Sequence, residues 1–190
     1  MDLTDLLERC RRGDELAWEV LVRRYQARVY GLAFHFVRNT EEARDLAQDI
    51  FVRLYEKLGT FRDEGTFLPW LLRVGRNVCI DHLRRAKARP ADSGIPVEDG
   101  PDLHDAGPTP EEAWMNDTRK QLVHRALRTL KEPYREVILL KEIQGLKMEE
   151  IATMLRLPLG TIKSRSNRAR IELARVVLEM SPPKSADTNR

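Results

Sequence analysis

Only two cysteines, Cys10 and Cys79, occur in 190 residues. That is too few for a disulfide framework, and it fits a reducing, cytoplasmic setting. No apolar run approaches the roughly 20 residues needed to cross a bilayer, so no membrane insertion is expected. The opening MDLTDLLERC carries acids and lacks the basic and apolar regions of a signal peptide. His35, His82, His104 and His124 are scattered, and neither cysteine has a partner at a metal-ligand spacing, so no metal is expected. There is no glycine loop to cradle phosphate and no nucleophile motif; no cofactor and no enzymatic chemistry are expected. Repeats and periodic strands of useful length are also missing, which leaves an all-α class.

What is present is charge, unevenly spread. The residues are 42% hydrophobic and 33% charged, with a net charge of only +3. Residues 1–89 hold 17 Lys+Arg against 14 Asp+Glu, residues 90–112 hold none against 7, and residues 113–190 hold 16 against 9. Two basic modules therefore flank an acidic connector. The connector, PADSGIPVEDGPDLHDAGPTPEE, combines Pro, Gly and acids and cannot bury enough surface to fold. The expected organisation is an N-terminal domain 1–89, a flexible acidic linker 90–112, a C-terminal domain 113–180 and a disordered tail 181–190.

Leu3, Leu6, Leu7 and Cys10 recur at helical spacing, Gly13 breaks the helix, and Asp14 is placed to cap the next. Glu15 to Val37 presents a broad apolar face of Ala17, Val20, Leu21, Tyr25, Val29, Leu32, Ala33 and Phe36, the mark of a core helix. Thr40 is expected to cap a third helix with Ala43, Leu46, Ala47, Ile50, Phe51, Leu54, Tyr55 and Leu58 inward and Gly59 as its stop. The opposite face carries Asp45, Gln48, Asp49 and Val52 at i, i+3, i+4 and i+7. After a polar loop opened by Phe61, a helix from Thr66 tolerates Pro69 in its first turn. It turns Phe67, Leu71, Val74 and Val78 inward and exposes a basic stripe of Arg73, Arg76, Asn77, Arg84 and Arg85. Cations beside exposed aromatics suit single-stranded nucleic acid, although a core Trp70 under a solvated arginine face fits equally.

The C-terminal module begins with a helix from about Glu112 through Trp114, Leu122, Val123, Ala126, Leu127 and Leu130. Pro133 opens another with Val137, Ile138, Leu140 and Ile143 inward. Then Met148, Ile151, Ala152 and Leu155 form one stripe, Pro158 and Gly160 interrupt it, and Ile162, Ala169, Leu173 and Val176 resume it. Lys163, Ser164, Asn167 and Arg168 share another face of the last helix. Lys163, Arg165, Arg168, Arg170 and Arg175 are opposed there only by Glu172. Two helices about a tight turn, the second basic and rich in hydrogen-bonding side chains, make a helix-turn-helix with its recognition helix. Asn and Arg can both bond bidentately to base edges, which favours DNA over a merely solvated face.

The stretch GLKMEEIATMLRLPLGTIKSRSNRAR resembles the promoter-reading C-terminal domain of bacterial sigma factors, with the closest likeness to the extracytoplasmic-function (ECF) group of the sigma-70 family. Ser166 departs from that pattern, standing on the Ile162–Ala169 face where an aliphatic residue is usual. The resemblance implies that Lys163, Ser164, Asn167 and Arg168 meet the minus-thirty-five promoter element. DLAQDIF is similar to the sigma segment that docks on the β′ clamp helices of core RNA polymerase, which implies that Asp45, Gln48, Asp49 and Val52 face the polymerase. FRDEGTFLPWLLRVGRN is similar to the segment that melts and captures the minus-ten element. In that family a loop and a neighbouring helix form a pocket for a flipped base, here matched by Phe61 and Asn77 beside Arg73, Arg76, Arg84 and Arg85. The resemblance further implies core polymerase and promoter DNA as partners, leaves room for an anti-sigma factor, and suggests that the acidic connector runs toward the polymerase active site rather than acting as a plain spacer. The competing readings are a stand-alone helix-turn-helix regulator and a helical adaptor that binds only protein.

Overall fold

A computed structural model of the chain describes residues 2–62, 67–88, 122 and 125–180. Every regular element among them is helical. The chain divides into two units, Met1–Leu103 and His104–Arg190, each with its own apolar core.

In the first unit, α1 (Leu3–Arg11) starts where Asp2 accepts a hydrogen bond from the Thr4 N–H, and it buries Leu6, Leu7 and Cys10. Gly13, at φ 81°, makes the left-handed turn for which glycine carries no steric penalty. Asp14 then caps α2 (Glu15–Val37), accepting from Ala17 N–H at 3.1 Å, as the sequence implies. Ala17, Leu21, Tyr25, Val29, Leu32 and Ala33 are buried along α2, but Val20 is 44% exposed, at the edge of the apolar face rather than within it. Arg38 ends α2 in the left-handed region at φ 56°.

The cap of α3 (Thr40–Lys57) is Asn39, not Thr40: Asn39 is extended and its side chain accepts from Glu42 N–H at 2.9 Å, whereas Thr40 is already helical. Ala43, Leu46, Ala47, Ile50, Leu54 and Leu58 are buried, and Phe51 is half-buried. Tyr55 departs from expectation at 61% exposure. The inward row runs Leu46, Ile50, Leu54 and Leu58 at four-residue steps, and Tyr55 falls one position off it, with its ring 4.9 Å from Trp18. The helix runs into a 3-10 turn, Leu58–Thr60, so Gly59 lies within a tight turn rather than at a left-handed stop.

α4 (Phe67–Ala88) carries Pro69 in its first turn, where the missing N–H goes unnoticed. Its Gly75 is buried where α4 crosses α2 and α3: a Cβ there would lie 2.9 Å from Leu32 Cδ2 and 3.3 Å from Ile50 Cγ2. Glycine in a helix interior costs about 1 kcal/mol against alanine, and close approach of three helices is the reason for it here.

In the second unit, residues 125–129 are helical, with Ala126 and Leu130 buried. α5 (Glu132–Ile138) has Pro133 in its first turn and passes into a π-helical turn, Leu139–Ile143, closed by Gln144 N–H on Leu139 O at 2.9 Å. The wider turn delays the helical phase. Ile143, expected inward, is therefore 48% exposed, and Gln144 is buried in its place. α6 (Met148–Leu155) buries Ile151 and Met154, the latter outside the expected stripe. Its first turn is closed by Lys147 N–H on Glu150 Oε2 at 2.7 Å. Arg156, left-handed at φ 54°, makes the turn, and α7 (Leu159–Met180) follows. Gly160, expected in the break, is already helical; the interruption is Arg156 to Pro158. The expected linker 90–112, the start of the preceding helix at Glu112 and Trp114, Val123, and the tail 181–190 lie outside the described residues.

Candidate nucleic-acid and partner interfaces

Asp45, Gln48, Asp49 and Val52 all emerge on the exposed side of α3, with Val52 60% exposed. Capping at Asn39 sets the phase of the helix, and burial of Leu46, Ile50 and Leu54 forces these four outward. Neighbouring charges are matched locally: Arg44 pairs with Glu41 at 2.6 Å and Arg53 with Glu56 at 2.7 Å. Among the described residues neither Asp45 nor Asp49 is in an ion pair. Two unneutralised carboxylates beside an exposed valine favour a partner that brings cations and an apolar contact. Tyr55, three residues beyond Val52, extends this face. The sequence pattern hid it, because an aromatic beside an apolar row reads as core.

On α4, Arg73, Asn77, Arg84 and Arg85 are exposed and Arg76 is half-buried. Asp81 lies among them, with Arg84 Nη1 at 3.9 Å and Arg85 Nε on the Asp81 carbonyl at 3.3 Å. Phe61, expected with Asn77 at a flipped-base pocket, is only 7% exposed. Its ring stands 5.4 Å from Phe67 and 5.0 Å from Trp70. Packing Phe61 against the two aromatics at the start of α4 takes its ring out of water, which draws Phe61 in. Trp70 is the half-buried member of that cluster and shares the side of α4 that carries Arg73 and Asn77, at i, i+3 and i+7.

In α7, burial of Ile162, Ser166, Ala169 and Val176 turns Lys163, Ser164, Asn167 and Arg168 to solvent together. The Ser166 hydroxyl is buried without a hydrogen-bond partner among the described residues, in the position where the sequence pattern calls for an aliphatic side chain. The cations of this helix are not equivalent. Arg170 is bound to Glu142 on the π-turn at 2.6 Å, and Arg175 to Glu179 at 2.7 Å. Among the described residues Lys163 and Arg168 take part in no ion pair. The Arg170 hydrogen bond, then Lys141, holds the Glu142 carboxyl below the usual range. Such a face, with two uncommitted cations flanking an amide and a hydroxyl, can contact phosphates and base edges at once.

Burial raises the Cys10 thiol and pushes Cys79 up to about 12, so both are protonated at neutral pH. Among the described residues no group of three or more His, Cys, Asp or Glu is arranged to hold a metal, and no helix is long and apolar enough to cross a membrane.

Comparison with known proteins identifies the family of the chain. Sigma-70 region 2 matches residues 21–89, and Sigma-70, region 4 matches residues 120–173. The RNA polymerase sigma-H factor of Pseudomonas aeruginosa is 38% identical over 170 residues, covering 87% of this chain and 88% of that protein. The ECF RNA polymerase sigma-E factor of Escherichia coli K12 is 34% identical over 175 residues, covering 88% and 91%. Among solved structures, CnrH in complex with the cytosolic domain of CnrY gives a TM-score of 0.65 at 26% identity, covering 93% of this chain and 97% of that one. The sigma factor RpoE of Bartonella quintana, in complex with the anti-sigma factor NepR, gives 0.66 at 25%, covering 86% and 98%.

Proposed function

The chain belongs to the ECF group of sigma-70 family RNA polymerase sigma factors, and from that premise we propose how its surfaces divide the work of promoter recognition. It binds core RNA polymerase and directs promoter-specific transcription initiation through the minus-ten and minus-thirty-five elements. The observation that carries this is the presence on one chain of a region 2 match and a region 4 match. A stand-alone regulator has no use for the first of these.

Asp45, Gln48, Asp49 and Val52, continued by Tyr55, form the surface for the β′ clamp helices. The α4 row of Arg73, Arg76, Asn77, Arg84 and Arg85 receives the melted minus-ten strand, cations on phosphates and the Asn77 amide on a base edge. Phe61, packed on Phe67 and Trp70, steadies the N-terminal end of that row. On α7, Lys163, Ser164, Asn167 and Arg168 enter the major groove at the minus-thirty-five element. The division 1–89, 90–112, 113–180 and 181–190 assigns one DNA-reading module to each side of an acidic connector that lets them span a promoter. Polymerase supplies the catalysis and the cytoplasm is the place of action. An anti-sigma factor, as RpoE has in NepR, is the expected inhibitor.

The test is in vitro transcription with purified core enzyme across genomic fragments. Discrete start sites that depend on this chain support the reading. Duplex binding without core enzyme, and no initiation with it, would return the chain to the stand-alone regulators.

A further inference from the structure

Arg11, the last residue of α1, precedes the stretch 21–89 matched by region 2. Its guanidinium nevertheless reaches into that region. Nη2 donates to the carbonyl of Phe61 at 2.8 Å, and Cζ lies 5.9 Å from the Phe61 ring centroid. The same ring contacts Phe67 and Trp70 in the first turns of α4. Trp70 heads the row Trp70, Arg73, Asn77 and Arg84, at i, i+3, i+7 and i+14.

α1 is itself firmly held. Arg9 Nη2 lies 2.7 Å from Asp14 Oδ2, and Trp18 Nε1 donates to the Cys10 carbonyl at 3.1 Å. Leu6, Leu7 and Cys10 are buried beneath it. Among the described residues no carboxylate pairs with Arg11; its partners are one backbone oxygen and one aromatic face. A planar fork with a cation–π face fits both at once, which an ammonium does less well.

We propose that Arg11 is a positioning residue for strand capture: by clamping Phe61 against Trp70, it fixes the attitude of the α4 row that receives the melted strand. This rests on assigning that row to the minus-ten element. Arg11 touches no base in this account and acts through Phe61.

The experiment uses holoenzyme assembled from the full chain and core polymerase. The probe is a fluorescent single strand carrying the non-template minus-ten sequence of a promoter mapped by transcription. Arg11→Ala is expected to weaken strand binding by roughly three- to tenfold, the range of one lost hydrogen bond, with the salt slope unchanged. Affinity for core should stay within about twofold, as for an ordinary surface change. Arg11→Lys, which keeps a donor and a charge but not the planar fork, should recover part of the loss. Asn77→Ala, on the row itself, is the reference. If Asn77→Ala weakens binding and Arg11→Ala does not, the clamp is refuted and the row stands. If neither does, the row assignment fails and takes the clamp with it. A salt slope lowered by about 1 would mean that Arg11 holds a phosphate directly, which overturns positioning. Parallel loss of core affinity would make Arg11 merely a stabiliser of the unit and overturn it equally.

Discussion

Arg170 and Glu142 bind across the second unit: Nη2 and Nε of the arginine meet the same carboxylate oxygen, at 2.6 and 3.1 Å. The pair ties the recognition helix to the π-turn and removes one cation from the set available to DNA. Both side chains are about half exposed, so the pair contributes about 0.2–1 kcal/mol. Arg170→Ala should lower thermal stability by no more than that and leave promoter preference unchanged. A changed preference profile across a promoter library would show that Arg170 leaves Glu142 to read DNA.

Asn167 and Arg168 should behave oppositely. Loss of a base contact costs roughly 1–3 kcal/mol at one position and relaxes specificity there. Loss of a phosphate contact weakens all sites alike and lowers the salt slope by about 1. At least one of Asn167→Ala and Arg168→Ala is expected to relax preference within the minus-thirty-five element, measured with every single-base variant of it. Two unchanged profiles would exclude base reading by this face.

Asp49→Arg should abolish binding of core polymerase while circular dichroism and melting stay close to wild type. The site is exposed, so the fold has nothing to lose, whereas a reversed charge in a docked interface costs several kcal/mol, on the order of 2–5. Co-purification at wild-type yield would remove Asp49 from the docking surface.

Gly75→Ala should destabilise the first unit by about 1–3 kcal/mol, the usual cost of overpacking. The new methyl would sit 2.9 Å from Leu32 Cδ2, and the better helix propensity of alanine offsets only about 1 kcal/mol. Denaturant unfolding measures the balance; a stabilised variant would mean that Leu32 and Ile50 repack freely.

His35 has its pKa lowered to about 4 by burial, with Arg38 adding to the effect. The unfolded chain binds this proton near pH 6.5, the folded one near 4, so the unfolded state gains as pH falls between them. Stability from this group is complete above about pH 6.5 and declines by up to about 3 kcal/mol toward pH 4. Replacing His35 with Gln should flatten that limb of the melting-versus-pH curve. An unaltered slope would place the acid sensitivity in other groups.

Helix order, the glycine and aspartate that join α1 to α2, and the faces of α3 and α7 were legible in the sequence because each is a local property. Spacing sets which side of a helix is apolar, and the side left over must face solvent or a partner. Asp45, Gln48, Asp49 and Val52 follow from that rule, as do Lys163, Ser164, Asn167 and Arg168. Ser166 was legible too, as a polar residue on an apolar face, and it is buried where the pattern put it.

Four features needed the tertiary structure. Phe61 is enclosed because the fold brings Phe67 and Trp70 within reach, a contact that no periodicity records. Ile143 faces out because a π-turn shifts the phase, and a regular period cannot anticipate an irregular turn. Arg170 is engaged by Glu142, 28 residues away in sequence, and Arg11 by Phe61, 50 residues away. Sequence alone determined which polar side chains stand exposed and could meet a partner. The packing of distant helices decided which cations remained free to do so, because a charge is committed by whatever stands within a few ångströms of it, and that depends on the fold.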